Sequence, residues 1–221
     1  MRQPFSPLLL FLFIFALGFL LAIVQLGVIT LAFDKLGVSP FSALILLFGS
    51  LFGSLVNIPL FVIRSDFSPQ TYAQNMWRLL NPPMRQFTGK TIIAVNVGGC
   101  VIPFLFSVYL LLQAGLPFHQ MVMGVLFVSA VSYMSSRPIP GLGVGMPLFI
   151  APISAALCAI MINPLNSAPL AYVSGTLGVI IGADMLRLKD IRKMGTPMAS
   201  IGGAGTFDGI FITGIVAVLL A

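Results

Sequence analysis

"GGAGTFDGIFITGIVAVLLA", residues 202–221, sets one carboxylate, Asp208, behind a cluster of small residues and ahead of an uncharged apolar run that continues to Ala221. Thirteen residues follow Asp208, enough for ~20 Å of helix at the usual rise. The chain has only five acidic residues, all of them Asp. One of them stands at the mouth of an apolar segment, and the rest of the sequence has to explain why.

Charged residues make up 7% of the chain and hydrophobic residues 58%, with a mean hydropathy of +1.09. Soluble domains carry about 25% charged residues, so the composition is that of an integral membrane protein. A bilayer core of about 30 Å takes ~20 apolar helical residues to cross. No charge interrupts residues 3–33, 36–63, 91–118, 120–136 or 138–183. The last run breaks at "NPLNSAP", residues 163–169, where Pro and Asn punctuate the pattern. The expectation is an all-α, polytopic transmembrane bundle of about seven helices in one domain, 1–221, at roughly 7–33, 38–63, 91–113, 119–136, 147–163, 168–187 and 199–221. The first run is too long for a leader's apolar region and lacks a small-residue cleavage site, so it reads as a retained helix.

Cytoplasmic loops collect Lys and Arg. With the N-terminus inside, alternate loops put ten of the eleven basic residues in the cytoplasm and leave only Lys35 outside. The C-terminus is then outside and the protein is a multi-pass protein of the cell membrane. The net charge of +6 is juxtamembrane and faces anionic lipid headgroups, so membrane lipids are the expected partner and nucleic acid is not. Cys100 and Cys158 have no CxxC spacing, and His119 is the lone histidine; no metal site and no cofactor are expected. Residues 64–90, with Trp77, Arg78 and the pair Pro82–Pro83, read as a cytoplasmic interfacial loop.

Helical rise gives the depth of the polar residues. Asp208 falls ~10 Å and Asp184 ~6 Å below the cytoplasmic face, with Asn57 in "SLVNIPLF" and Asn96 in "IAVNVGGC" each ~9 Å deep. Four polar groups thus share one layer, and intramembrane polar groups face a bundle interior or a water-filled cavity. For the two asparagines, a plain interhelical hydrogen bond is the alternative. The stretch "SSRPIPGLGVGMP", residues 135–147 with Pro138, Pro140, Gly141 and Gly143, cannot continue a regular helix. It is either a re-entrant segment beside the aspartates or a cytoplasmic loop. Gly178 and Gly182 before Asp184, Gly203 upstream of Asp208, and Gly205 and Gly209 around Asp208 serve either close helix packing or access to a buried carboxylate. Arg187, three residues after Asp184, offers that acid a simple ion pair, whereas Asp208 has no basic residue within a turn.

The strings "GADMLRL" (182–188) and "GGAGTFDGIF" (202–211), with "RPIPGLGVGMP" (137–147), resemble a prokaryotic membrane family known as domain of unknown function 1614. A remoter likeness is to the intramembrane aspartyl proteases, presenilin-like and prepilin-peptidase-like, which carry one Asp on each of two adjacent helices near the cytoplasmic side. Their second Asp follows Gly-x-Gly, where this chain has "GAD" and "GTFD". That likeness implies catalytic Asp184 and Asp208 acting on a transmembrane peptide. Two carboxylates in hydrogen-bond reach cannot both ionise, leaving one as base for water and the other as acid for the leaving group. Asn57, Asn96 and the glycine-rich backbone would polarise the scissile carbonyl. A proton- or cation-coupled transporter or channel, and a non-catalytic assembly protein, are the rival readings.

Overall fold

The computed structural model describes Phe15, Gly18 and residues 27–66, 89–139, 143–203 and 209–221. Within them the chain is mostly helical: α1 (Gly27–Lys35), α2 (Pro40–Gly53), α3 (Ile102–Gln113), α4 (Phe118–Ser135), α5 (Ile150–Ile162), α6 (Ser167–Val179) and α7 (Gly209–Leu220). It is not all-α. Five strands interrupt the helices: β1 (Asn57–Arg64), β2 (Lys90–Asn96), β3 (Arg137–Ile139), β4 (Gly143–Gly145) and β5 (Met198–Ile201).

Three of these strands lie inside segments that hydropathy reads as helix. The expected span 38–63 is α2 followed by β1, 91–113 is β2 followed by α3, and 199–221 begins with β5 and ends with α7. The local chemistry favours the exchange. "NIPLFVIR" and "KTIIAVN" are rich in β-branched residues, which suit a pleated surface, and Pro59 sits on an edge strand, where its missing N–H costs no ladder bond. The strands form one sheet in the order β1-β2-β5. β1 runs antiparallel to β2 with Asn57 opposite Asn96 and Arg64 opposite Lys90, and β2 runs parallel to β5 from Ile92–Met198 to Val95–Ile201. A parallel neighbour needs a long crossover, and α3 to α6 provide it.

The helices wrap α6. Leu170, Ala171, Val173, Ser174 and Thr176 are fully buried, with α4, α5, α7 and α3 packed around them. Glycine permits the closest approaches. A Cβ at Gly178 would lie 2.6 Å from Val128 Cβ, one at Gly182 would overlap the Ser129 carbonyl oxygen, and one at Gly214 would lie 2.7 Å from the Tyr172 ring. The Gly178–Gly182 pair therefore serves the α4–α6 contact. Farther along, the Phe33, Phe106 and Tyr172 rings meet in series, tilted and then edge to face, with centroids 5.8 and 5.0 Å apart, adding aromatic contact energy to area burial.

The bundle has two ends. Lys35, Gln113, Asn166 and Ala221 meet at one, and Tyr133, Ser136 and Arg187 meet at the other. Consecutive helices from α2 to α7 therefore alternate in direction. At the first end Lys35 Nζ donates to the Val218 and Leu219 carbonyls, at 3.4 and 3.3 Å, and Ser167 Oγ to that of Ala221 at 3.1 Å. These bonds satisfy carbonyls that the last turn of α7 leaves without helical partners. At the opposite end of α2, Ser50 Oγ donates to the Gly98 carbonyl at 2.5 Å.

Among the described residues two helices are long and apolar enough to cross a membrane, Phe118–Ser135 and Pro164–Met185, the latter being α6 with its flanking turns. At ~27 and ~33 Å they match a bilayer core. The pair α1 and α2, bent by 115°, is a third if it counts as one broken span. Trp77, Arg78, Pro82 and Pro83 of the expected interfacial loop lie outside the described residues, but its ends are joined: Ser65 N donates to Gly89 O at 2.9 Å.

Candidate functional site

Two residues of the polar layer read from the sequence, Asn57 and Asn96, stand where helix and strand exchange, at the start of β1 and the end of β2. A backbone that changes its hydrogen-bond scheme leaves donors and acceptors over, and at low dielectric these need partners. Asn96, fully buried, supplies them. Its Oδ1 accepts from Gly99 N at 2.7 Å, opening the turn that leads into α3, and its Nδ2 donates to Ser54 O at 2.6 Å and Asn57 Oδ1 at 3.1 Å. Both amide hydrogens are committed in this structure, so here Asn96 is a cap and a cross-link. Asn57 Oδ1 also accepts from Ser200 Oγ at 2.6 Å, which ties β1 to β5 across β2.

Asp184 is differently placed. α6 widens at its end into a π-type turn, Ile180–Met185, a local irregularity that recurs at functional sites. Asp184 stands in that turn, half-buried. Its Oδ2 accepts from Gly202 N at 3.3 Å. Gly202 and Gly203 follow β5 with φ of +83° and +85°, a left-handed pair that side-chain-bearing residues resist. Gly202 also lies against the Gly99 and Cys100 backbone, so close that a Cβ there would come within 2.7 Å of it. The strand-to-helix turn before α3 thus supports the loop that holds the carboxylate.

Two cavities meet at Asp184. One of about 120 Å³ is walled by Gly143 and Val144 of β4 on one side and Met198–Ile201 and Gly203 on the other, with Ile191 and Met194 beneath. It has room for several waters, each of which takes about 30 Å³ in the liquid. The second, about 290 Å³, is lined by Val144–Met146, Leu148, Val179, Ala183 and the first turn of α7, Gly209, Ile210 and Thr213. β5 is an edge strand with β2 on one side, and β4 pairs only with β3 among the described residues. The carboxylate therefore lies beside strand edges that have peptide groups to offer.

Arg187, the basic residue that follows Asp184 by three, binds Asp190, Nη1 to Oδ2 at 3.0 Å.

Of the residues singled out in the sequence, Asp184, Gly143 and Gly203 share the smaller cavity, and Asp184 and Gly209 share the larger. A Cβ at Gly209 would meet nothing within 4 Å among the described residues. Asn57 reaches the site only through Ser200. Pro138 pairs with Val144 in the β3–β4 hairpin and is exposed. Asp208, Pro140, Gly141 and Gly205 lie outside the described residues. Sequence reading missed Gly202, Ser200 and Thr213. Only Gly202 carried a signal, as the first of two adjacent glycines after a β-branched residue. Among the described residues no group of His, Cys, Asp or Glu is arranged to hold a metal ion.

Helices that match a bilayer, wrapped around one another and joined at one end to a small sheet with a carboxylate beside it, define the class: a mostly helical membrane protein with a polar site at strand–helix junctions. The chain belongs to the family described as Protein of unknown function (DUF1614), whose model matches residues 51–220. No curated protein and no solved structure matches it.

Proposed function

We propose that this protein is a multi-pass membrane hydrolase of the aspartyl-protease type, with Asp184 and Asp208 as its two acids near the cytoplasmic face and a transmembrane peptide as its substrate. In this reading the Arg187 end of a seven-segment bundle is cytoplasmic and the Lys35 end is outside. Lys35 is the one basic residue that the charge rule leaves outside, and its ammonium is used in capping α7.

The observation that carries the proposal is the position of the Asp184 carboxylate, in a cavity walled by β5 and β4. A peptide bond is attacked in extended chain, and an extended chain can hydrogen-bond to a free strand edge. Gly209, the residue after Asp208 in the sequence, lines the second cavity with Asp184. One carboxylate would take a proton from water while the other gives one to the leaving nitrogen.

A channel reading finds less support. Between the cavities at the two ends lie Leu170, Val173, Ala217 and Val218, all fully buried. An alternating transporter in which Asp184 carries a proton or cation is favoured by one feature, the broken helix at the carboxylate.

The test uses a membrane-embedded reporter peptide in proteoliposomes. Asp184→Asn and Asp208→Asn should each abolish cleavage while leaving the protein folded, because half an acid–base pair cannot serve both steps. Cleavage at the wild-type rate by either variant would refute the proposal. Retained substrate exchange with lost proton dependence would replace it with the transporter.

A further inference from the structure

Arg187 follows Asp184 by three residues, and its guanidinium is used almost completely. Nη2 donates to the carbonyls of Tyr133 at 2.7 Å and Ser136 at 2.9 Å, Nε to Ser136 Oγ at 3.3 Å, and Nη1 to Asp190 Oδ2 at 3.0 Å. The plane also lies over the Tyr133 ring, with Cζ 4.1 Å from its centroid. The two carbonyls belong to the end of α4, whose last turn has none of its own basic residues, so the cation completes that helix. Asp190 holds the guanidinium from the opposite side.

The next residue after Ser136 begins β3, and β3 carries β4, whose Gly143 and Val144 form one wall of the Asp184 cavity. Val144 packs in turn against Ile191 and Met194, on the chain that leaves Arg187. One side chain thus fixes the start of the hairpin to the end of the helix that bears the carboxylate. We infer that Arg187 is a positioning residue, a clamp that sets the gap between the Asp184 carboxylate and the β3–β4 wall of its cavity. The inference rests on the reading of Asp184 as the functional carboxylate. Lysine cannot substitute: it is a point charge that lacks the planar fork and stacks poorly.

The test is the rate at which a membrane-soluble carbodiimide modifies Asp184 in the full chain in detergent micelles, located by peptide mass spectrometry and expressed relative to the exposed carboxylate Asp34. Unfolding or general loosening raises both rates; a displaced wall raises only the ratio. Because the reagent needs a protonated carboxyl, the pH profile of labelling also reports the surroundings of Asp184. Arg187→Lys and Arg187→Gln should raise the ratio severalfold and should move the pH profile. Tyr133→Leu, which keeps the charge and the carbonyl bonds, should give a smaller change in the same direction and serves if the Arg187 variants do not fold. Wild-type labelling with ratio and profile unchanged in the folded variants overturns the clamp alone. No labelling of wild-type Asp184 at any pH overturns the reading of that carboxylate and the inference with it.

Discussion

Replacing Gly202 by Ala adds one methyl group at the point where Asp184 is held. The native φ of +83° costs a residue with a Cβ about 1–2 kcal/mol. The new Cβ would lie 2.6 Å from Cys100 Cβ and 2.7 Å from Cys100 N and Gly99 C, and two of those three atoms are backbone that cannot rotate away. Overpacking of this kind costs about 1–3 kcal/mol. Relief requires the loop to lift, which lengthens the 3.3 Å bond from Gly202 N to Asp184. The expected loss is therefore about 2–5 kcal/mol, measured by reversible denaturation in mild micelles. Gly209→Ala is the matched control at the same site. Its Cβ would meet nothing within 4 Å, and alanine is favoured over glycine in a helix by about 0.5–1 kcal/mol. The reasoning is refuted if Gly202→Ala is within about 0.5 kcal/mol of wild type, the range of an unremarkable surface change, or if Gly209→Ala costs as much as Gly202→Ala.

Asn96→Ala should destabilise by about 2–6 kcal/mol, because it leaves the buried Ser54 carbonyl and Gly99 N–H without partners at about 1–3 kcal/mol each; the same denaturation curves would show it. Lys35→Met removes the cation from the end of α7 and should cost only about 0.3–1 kcal/mol, read as a small fall in melting temperature that shrinks further when the wild type is measured in high salt.

The sequence alone determined the environment. With 7% charged residues the chain has too little polar surface for water, and the positions of those charges marked the segment ends: Lys35 at one end of the bundle, Arg187 at the other. It also picked out Asp184 and the glycines Gly143, Gly203 and Gly209, because a carboxylate and conformationally free backbone are costly in apolar segments and therefore conspicuous. Hydropathy could not tell strand from helix in 57–64 and 90–96, since a segment apolar on all sides has lost the periodicity that distinguishes the two. What makes 90–96 a strand is its pairing with β1 along its whole length and, on the other side, with Met198–Ile201, about a hundred residues away and without value until the crossover has formed. The same holds for the polar side chains. Asn57 and Asn96 were visible as buried amides, but whether an amide faces a substrate or a stranded carbonyl depends on which backbone lies 3 Å away. Arg187 stood one turn from Asp184 in sequence. Only the packing of α4 against α6, made possible by Gly178 and Gly182, brought it its partners, two helix-end carbonyls and an aromatic face.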